Sequence, residues 1–264
     1  MSFTEFLDLL PENKFPEDLL QRSMQLILIG LEYLHQAKVV HTDISPNNLL
    51  QGITDSSALS DIEEGETNQP IARKVLSDRT IYNSRLMPVN AGLPVLCDFS
   101  EARVGGGKHK GDVMPGIYRA PEVILGMDWD CKVDIWSIGL TTWNLLEGGN
   151  LFFAKKGGML DDEQHLAEMV SLLGPPPLEF IKRSEKCLQY WDEQANWKGS
   201  IPIPEQSFEI RERRLQGEVR DFFLHFLRMA LTWIPEERPS AEDLARHAFL
   251  MQAILAAHGP EEYS

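Results

Sequence analysis

The sequence has little cysteine: three residues in 264, Cys97, Cys131 and Cys187. The odd count, the wide spacing and the lack of any C-x-x-C pair exclude a disulfide framework and a zinc site. They point to a reducing, intracellular setting, cytoplasmic and/or nuclear. No stretch approaches the roughly 20 uncharged apolar residues that cross a bilayer, which excludes a membrane bundle. The N-terminus MSFTEFLDLL carries acids early and no basic segment, so it is not a secretory signal. Bases are also in deficit, with 25 Lys and Arg against 40 Asp and Glu and a net charge of −15. That balance argues against direct nucleic-acid binding and against a membrane partner. The acidic surface then either attracts basic partners or serves solubility alone. With 43% hydrophobic and 25% charged residues, the chain is neither disordered nor collagen-like.

The apolar pattern is mostly helical. Ser2 to Glu5 reads S-x-x-E, a capping box that starts a short helix ending near Pro11. Pro16 opens a long helix reaching Gln36, with apolar residues from Leu19 to Leu34 at mixed three- and four-residue spacing. Val39-Val40, Leu49 to Ile53 and a buried Leu93 to Cys97 read as short strands. Thr54 to Gly92 is acidic and polar and reads as a partly mobile insertion or long loop, at about residues 54–92. Lys132 to Glu147 is apolar nearly all round, as expected of a helix at a domain's centre, and Gly148-Gly149 ends it. Further helices are expected over Asp161–Leu173, Glu218–Thr232 and Ser240–Ala257, the last capped by Ser240. No internal repeat is present.

The chemistry lies in five ordered motifs. His41-Thr42-Asp43-Ile44-Ser45-Pro46-Asn47-Asn48 fits H-x-D-x-x-x-x-N, and Asp98-Phe99-Ser100 follows a strand about 50 residues on. Phosphoryl transfer needs a carboxylate that orients the acceptor hydroxyl and takes its proton, a role Asp43 fits. It also needs oxygen ligands that hold Mg²⁺ against the nucleotide phosphates, a role Asn48 and Asp98 fit. Each motif alone is weak, because a turn-capping Asp or a loop Asn is the commoner explanation. Then follow Gly116-Ile117-Tyr118-Arg119-Ala120-Pro121-Glu122, Asp134-Ile135-Trp136-Ser137-Ile138-Gly139 and Glu236-Glu237-Arg238-Pro239. The order and spacing of all five form a specific signal.

In these motifs the sequence resembles the C-terminal lobe of a eukaryotic protein kinase. His-Thr-Asp in place of His-Arg-Asp resembles the SR-protein kinases, which phosphorylate Ser in Arg/Ser-rich splicing factors. The stretches "VVHTDISPNN", "YRAPEVILGMDWDCKVDIWSIG", "HLAEMVSLLGPPP" and "WKGSIPIPE" resemble the divergent fungal branch of that family. The resemblance implies an ATP- and Mg²⁺-dependent protein Ser/Thr kinase acting on a protein substrate, Arg/Ser-rich by analogy. It implies Asp43 as catalytic base, Asn48 and Asp98 as metal ligands, and Leu50 as the apolar floor under adenine. His41 and Phe99 match stacking spine residues. Glu122 and Arg238 match a buried ion pair, Asp134 the acid that anchors the catalytic-loop backbone, and Arg119 a residue shaping the substrate pocket. The expected fold class is α+β, mainly α: a kinase-like C-lobe over residues 1–258, built as a helical bundle around one central apolar helix, with a few short strands near the catalytic loop and a tail at 259–264.

Three departures bear on activity. The usual Lys two residues after the catalytic Asp is Ser45, and the usual Gly after Asp-Phe is Ser100, which does not adopt φ > 0 freely. The residues before His41 read as two helices, so a small lobe with its Gly-rich loop, strand Lys and helix Glu is expected to be absent, through a truncated reading frame or a genuine half-kinase. A C-lobe fragment of this kind is expected to be inactive alone. The competing readings are a pseudokinase or lobe-only binding module and, remotely, a small-molecule kinase, which lacks the Tyr118-to-Glu122 motif. Cys97 reads as a buried hydrophobe before a reactive thiol, His109 as part of a solvated loop, and Trp191 and Trp197 as local packing. Asp161-Asp162-Glu163 either attracts an Arg-rich substrate or forms the acidic first turn of a helix.

Overall fold

A computed structural model describes residues 1–83, 85 and 92–252. The elements in chain order begin with α1 (Phe3–Leu7), α2 (Glu17–Gln36), β1 (Val39–Val40), β2 (Leu49–Gln51) and α3 (Ser57–Asn68). Then come β3 (Arg73–Val75), β4 (Thr80–Tyr82), β5 (Pro94–Leu96), β6 (Arg103–Val104), α4 (Pro121–Ile124) and α5 (Lys132–Glu147). The hairpin β7 (Lys155–Lys156) and β8 (Met159–Leu160) leads into α6 (Asp162–Leu173), α7 (Leu178–Ile181), α8 (Phe208–Arg211), α9 (Gly217–Ala230) and α10 (Ala241–Ala245). Helices dominate. The strands form four two-stranded antiparallel ladders, β1–β6, β2–β5, β3–β4 and β7–β8.

Helix α5 is the centre. Thirteen of its residues are buried, including Trp136 and Trp143, and Gly148 ends it in the left-handed conformation at φ 70°. No helix could sit there with a polar face, which is why the sequence is apolar all round. Trp136 stacks on Phe152 at 6.1 Å, and Trp143 on Phe223 of α9 at 6.2 Å. A Cβ on Gly139 would stand 3.0 Å from Leu231 and 3.1 Å from Ala230, so α5 and the end of α9 approach as closely as glycine allows. Helix α2 packs on α5 and on α10. One hydrophobic core runs from Phe3 to Leu250, and Phe3, Phe6 and Phe15 of the first 40 residues are part of it. Among the described residues no helix is long and apolar enough to cross a membrane, and all three cysteines are free.

Local signals explain the termini. Ser2 and Glu5 form the capping box of α1, Ser240 and Asp243 that of α10. Asp161 caps α6 by accepting the Gln164 N–H at 2.8 Å. Pro16 stands just outside α2 with ψ 147°, one residue before its expected place inside the helix. The last expected helix breaks at Arg246, and its end at Ala257 and the tail at 259–264 lie outside the described residues. Among the described residues, the segment 54–92, read as an insertion or a long loop, holds α3 and the β3–β4 ladder. Asp55 accepts the Ser57 N–H and hydroxyl at 2.9 and 2.7 Å and starts α3, but α3 buries no residue, so its apolar spacing was too weak to announce it. Strand β5 is not buried as expected, since Val95 is 50% exposed and faces away from the core.

The late helices are joined to α4 by one buried ion pair. Arg238 donates to both Glu122 oxygens at 2.6 and 2.8 Å, and each residue is 1% exposed. The guanidinium also donates to the Thr232 and Lys132 carbonyls at 2.9 and 3.0 Å and lies 5.0 Å over the Trp136 ring. Such a pair is costly to desolvate, and its value depends on both partners being present. Glu122→Ala leaves the guanidinium unpaired, and we expect it to lower unfolding free energy by about 3–5 kcal/mol in urea denaturation. A loss below 1 kcal/mol would show that the joint does not depend on this pair.

Candidate active site

Two short segments converge at the ends of β1, β2 and β5. The loop His41–Asn48 follows β1, and Asp98 follows β5 after Cys97. Strand β5 is fixed to β2 in register, with Leu49 opposite Leu96 and Leu50 opposite Val95. The Cys97 N–H donates to the Asn48 carbonyl at 3.0 Å, which carries Asp98 to the same end as Asn48.

The loop is held from beneath by Asp134, in the first turn of α5. Its carboxylate accepts the backbone N–H groups of His41 at 2.9 Å and Thr42 at 2.7 Å, and it meets His35 Nε2 at 2.9 Å. Asp134 is fully buried, so these donors take the place of water. They also hold Thr42 at φ 66°, where a β-branched residue is strained. The Thr42 hydroxyl donates to the Glu101 carbonyl at 2.8 Å. His41 Nε2 bonds the Cys97 carbonyl at 3.0 Å while Nδ1 accepts the Asp43 N–H at 3.3 Å, which assigns the proton to Nε2. The His41 ring lies 5.0 Å from that of Phe99.

The Asn48 amide donates to the Asp43 carbonyl at 2.8 Å and to Asp43 Oδ2 at 2.7 Å. Asn48 therefore spends its donors on Asp43, and its Oδ1 is the atom left for a ligand. The Asp98 carboxyl is held below the usual carboxylate range by the Ser100 hydroxyl at 2.7 Å and then by the Ser100 N–H at 3.2 Å. An anionic carboxylate and an amide oxygen are hard oxygen donors, the set that Mg²⁺ takes together with phosphate oxygens and water. These residues fit the metal and nucleotide that the motifs imply. The left-handed residue in this motif is Asp98, at φ 61°, and not the serine in the glycine position. Cys97 is pushed up by burial and then by the Asp98 charge, and its Sγ lies 3.3 Å from the Asn48 carbonyl, so it is not an activated thiol.

Asp43, Ser45 and Asn48 line one cavity of about 610 Å³, facing the Pro115–Tyr118 turn and the β7–β8 hairpin. Asp98 and Leu50 are not on its wall; Leu50 is half-buried on β2, beside Ser2. Arg119 is not on the cavity wall. Its guanidinium meets Asp112 at 2.8 Å and the Met114 carbonyl at 3.3 Å. Glu122 and Arg238 lie outside the cavity, under the segment that carries Tyr118. Sequence reasoning missed Thr4, whose hydroxyl donates to Asn47 Oδ1 at 2.6 Å, and the hairpin residues Lys155 and Leu160. The hairpin had a legible signal, Gly157-Gly158 between two short runs. His109 is not in a solvated loop; it stacks on Trp129 at 4.9 Å and pairs with it through the backbone. The acids at the start of α6 are used internally, Asp161 as cap and Glu163 as acceptor for the Ser200 hydroxyl and the Ile201 N–H. Trp191 and Trp197 pack on each other at 5.4 Å.

Two measurements address this support. In Asp134→Asn the new amide opposes the two backbone donors, and each buried donor left unpaired costs about 1–3 kcal/mol. Stability should fall accordingly, and the amides of His41 and Thr42 should lose hydrogen-exchange protection; unchanged protection would remove Asp134 as the anchor. His165 on α6 is 2% exposed, and its Nε2 has no partner among the described residues. Burial, with the Arg119 charge added, holds the imidazole down at about 3. The unfolded chain takes that proton near pH 6.5 and the folded chain does not, so stability falls as pH drops from about 6.5 toward 3, by up to about 1.4 kcal/mol per unit. His165→Leu should flatten this limb of the urea midpoint against pH; identical acid limbs in parent and variant would refute it.

The protein kinase domain family model matches residues 1–250. A serine/threonine protein kinase of Aspergillus fumigatus is 41% identical over 95% of the chain and 62% of its own length. The serine/threonine-protein kinase SRPK of Physarum polycephalum is 30% identical over 94% of the chain and 65% of its own length. The chain thus spans slightly under two thirds of these relatives. A crystal structure of a kinase domain superposes with a TM-score of 0.69 at 23% identity, covering 94% of the chain and 70% of that structure. These matches correct the expectation of a lone C-terminal lobe. The sequence reading took residues 1–258 as a C-lobe without its small lobe, whereas the kinase-domain model runs over residues 1–250 from the first helix onward, and Phe3, Phe6 and Phe15 share one core with the rest. With the family model matched over residues 1–250, this chain belongs to the protein kinase domain family.

Proposed function

We propose that the chain is a protein Ser/Thr kinase of the SR-protein kinase type, transferring the γ-phosphoryl group of ATP to a hydroxyl on an Arg-rich protein substrate. The observation that carries this reading is the Asn48–Asp43 bond, at 2.7 Å, on the wall of a cavity large enough for a peptide side chain. Asn48 fixes one oxygen of the Asp43 carboxylate and leaves the other for the acceptor hydroxyl. Asp43 orients that hydroxyl and takes its proton as the oxygen attacks. Asn48 Oδ1 and the Asp98 carboxylate would hold Mg²⁺, and Leu50 would lie under the adenine. Bound ATP–Mg²⁺ supplies the phosphoryl group and the charge that offsets it. The net charge of −15 supports a basic substrate through long-range attraction, and the relative in Physarum carries the SRPK name.

A second reading, a binding module of kinase fold, has one observation in its favour. Ser100 places both its hydroxyl and its N–H on Asp98 Oδ1, so that oxygen is already engaged. A radiolabelled transfer assay from ATP–Mg²⁺ to an Arg/Ser peptide separates the two. Transfer is expected, and Asp43→Asn should lower kcat by about 10²–10⁴-fold with an unchanged urea midpoint. Folded protein that binds the peptide and transfers nothing would establish the binding module.

A further inference from the structure

The wall of the cavity beside Asp43 is rich in amides. Asn47, Asn48, Asn144 and Asn150 all line it, whereas Asp43 and Lys155 are its charged residues among those described. An Asn side chain offers an oxygen acceptor and two N–H donors, so its partners within the chain decide what it shows to a ligand. Asn48 spends its donors on Asp43. Asn47 does the reverse. Its Oδ1 accepts the Thr4 hydroxyl at 2.6 Å, and its Nδ2 has no partner among the described residues. The Thr4 N–H also donates to the Pro46 carbonyl at 3.2 Å, so Thr4 grips the Pro46–Asn47 pair through backbone and side chain together. Helix α1, which carries Thr4, is itself seated by Phe3 in the core and by the Gln51 N–H donating to the Met1 carbonyl at 2.9 Å. Asn47 is therefore turned so that its two N–H donors are the part left for a ligand.

The end of α5 supplies a second pair. Asn144 Nδ2 donates to Asn150 Oδ1 at 3.0 Å. Asn144 Oδ1 and Asn150 Nδ2 have no partner among the described residues, so one acceptor and one donor group stand side by side on the wall. Asn150 is held from behind, where its carbonyl accepts the Arg211 guanidinium at 3.0 Å, and that guanidinium lies 5.3 Å over the Trp143 ring. In an extended chain the N–H and C=O of one residue point to the same side, as they do in a hydrogen-bonded strand pair. The Asn144–Asn150 pair is the complement of those two groups. An Arg side chain, which has donors only, would meet a single acceptor there and leave the Asn150 donors unpaired.

We propose that Asn47 and the Asn144–Asn150 pair bind the main chain of an extended peptide substrate beside the accepting hydroxyl, with Thr4 as the positioning residue of Asn47. The site is that of the kinase reading, on which this proposal rests. Asn47 donates to one main-chain carbonyl, and Asn150 and Asn144 take the C=O and N–H of another residue. The residues around the acceptor are then held by their backbone, and their side chains are read weakly. Any preference for basic residues comes from the net charge of −15 acting at a distance and not from contacts on this wall.

The test measures peptide binding by fluorescence anisotropy at fixed ionic strength, which needs no turnover. The probe is an Arg/Ser peptide in which one amide bond at a time, over the residues flanking the acceptor Ser on both sides, is replaced by an ester. The ester removes one N–H and weakens the neighbouring carbonyl as an acceptor, and it leaves every side chain and charge in place. At two or more of these bonds the ester should weaken binding about three- to tenfold, the net strength of one hydrogen bond. Asn47→Ala should abolish the penalty at one of them and Asn150→Ala at another, because each variant removes the same contact as the ester. Thr4→Val should lower the penalty that depends on Asn47, and Thr4→Ser, which keeps the hydroxyl, should retain it. Esters that bind like the parent peptide at every bond, or penalties that survive in both Asn47→Ala and Asn150→Ala, would overturn the proposal. A full penalty in Thr4→Val would remove Thr4 as the positioning residue. Penalties that behave as expected while neither the parent protein nor Asp43→Asn transfers phosphate would leave the main-chain site standing and sink the kinase reading instead.

Discussion

Asp134 gathers the His41–Asn48 loop onto the core through one buried carboxylate. The His41 and Thr42 N–H groups and the His35 imidazole converge on it from α2 and the loop, while Asp134 itself belongs to the first turn of α5. A residue at the start of a helix suits an anion, because the helix N-terminus carries partial positive charge. Everything above this carboxylate follows from where it stands. Thr42 is held left-handed, Asp43 is turned toward the cavity, and His41 reaches the Cys97 carbonyl that precedes Asp98. The two loops that bear the acidic residues are thus referenced to one atom group in the buried central helix. A loop left to itself would not hold a β-branched residue at φ 66°.

The same helix takes a second load at its other face. Trp136 lies under the Arg238 guanidinium, and Arg238 holds Glu122 in the segment that runs from Tyr118 into α4. The His41–Asn48 loop and the Pro115–Tyr118 turn therefore hang from neighbouring positions, Asp134 and Trp136. An apolar replacement for the Arg238–Glu122 pair would be as stable or more so by area alone. What the charged pair adds is direction, because the fork of Arg238 admits Glu122 in one orientation while the Thr232 and Lys132 carbonyls take two further N–H groups.

Much of this was legible in the amino acids, for identifiable reasons. Helix α5 is apolar on every side, so its length and central place follow from composition, and its bounds at Lys132 and Glu147 are those read from the pattern. The capping boxes at Ser2 and Ser240 mark helix starts because the donor–acceptor pairs are local. Helix α3 and the hairpins were not legible to the same degree. Neither α3 nor β3 buries a residue, so hydrophobic periodicity has nothing to report there. His109 shows the limit from the other side: between two lysines it reads as solvent-exposed, and only the fold brings Trp129 beneath it. The position of Arg119 depended likewise on Asp112, seven residues earlier, turning back to meet it.

The neutral residue at position 42 changes how the neighbouring segment is kept in order. A cation beside the catalytic Asp needs a counter-charge, and in kinases a loop phosphate supplies it. Thr42 needs none, since its hydroxyl is satisfied by the Glu101 carbonyl at 2.8 Å. Residues 101–116 contain no Ser, Thr or Tyr that could carry such a phosphate. Other contacts hold this stretch instead. Lys108 meets Asp130 at 2.8 Å, His109 pairs and stacks with Trp129, Trp129 Nε1 donates to the Gly111 carbonyl at 2.9 Å, and Asp112 meets Arg119. Each tie is permanent, made by residues of the chain itself and not by a modification. The segment facing the cavity is therefore held by the fold itself, through contacts that need no added phosphate.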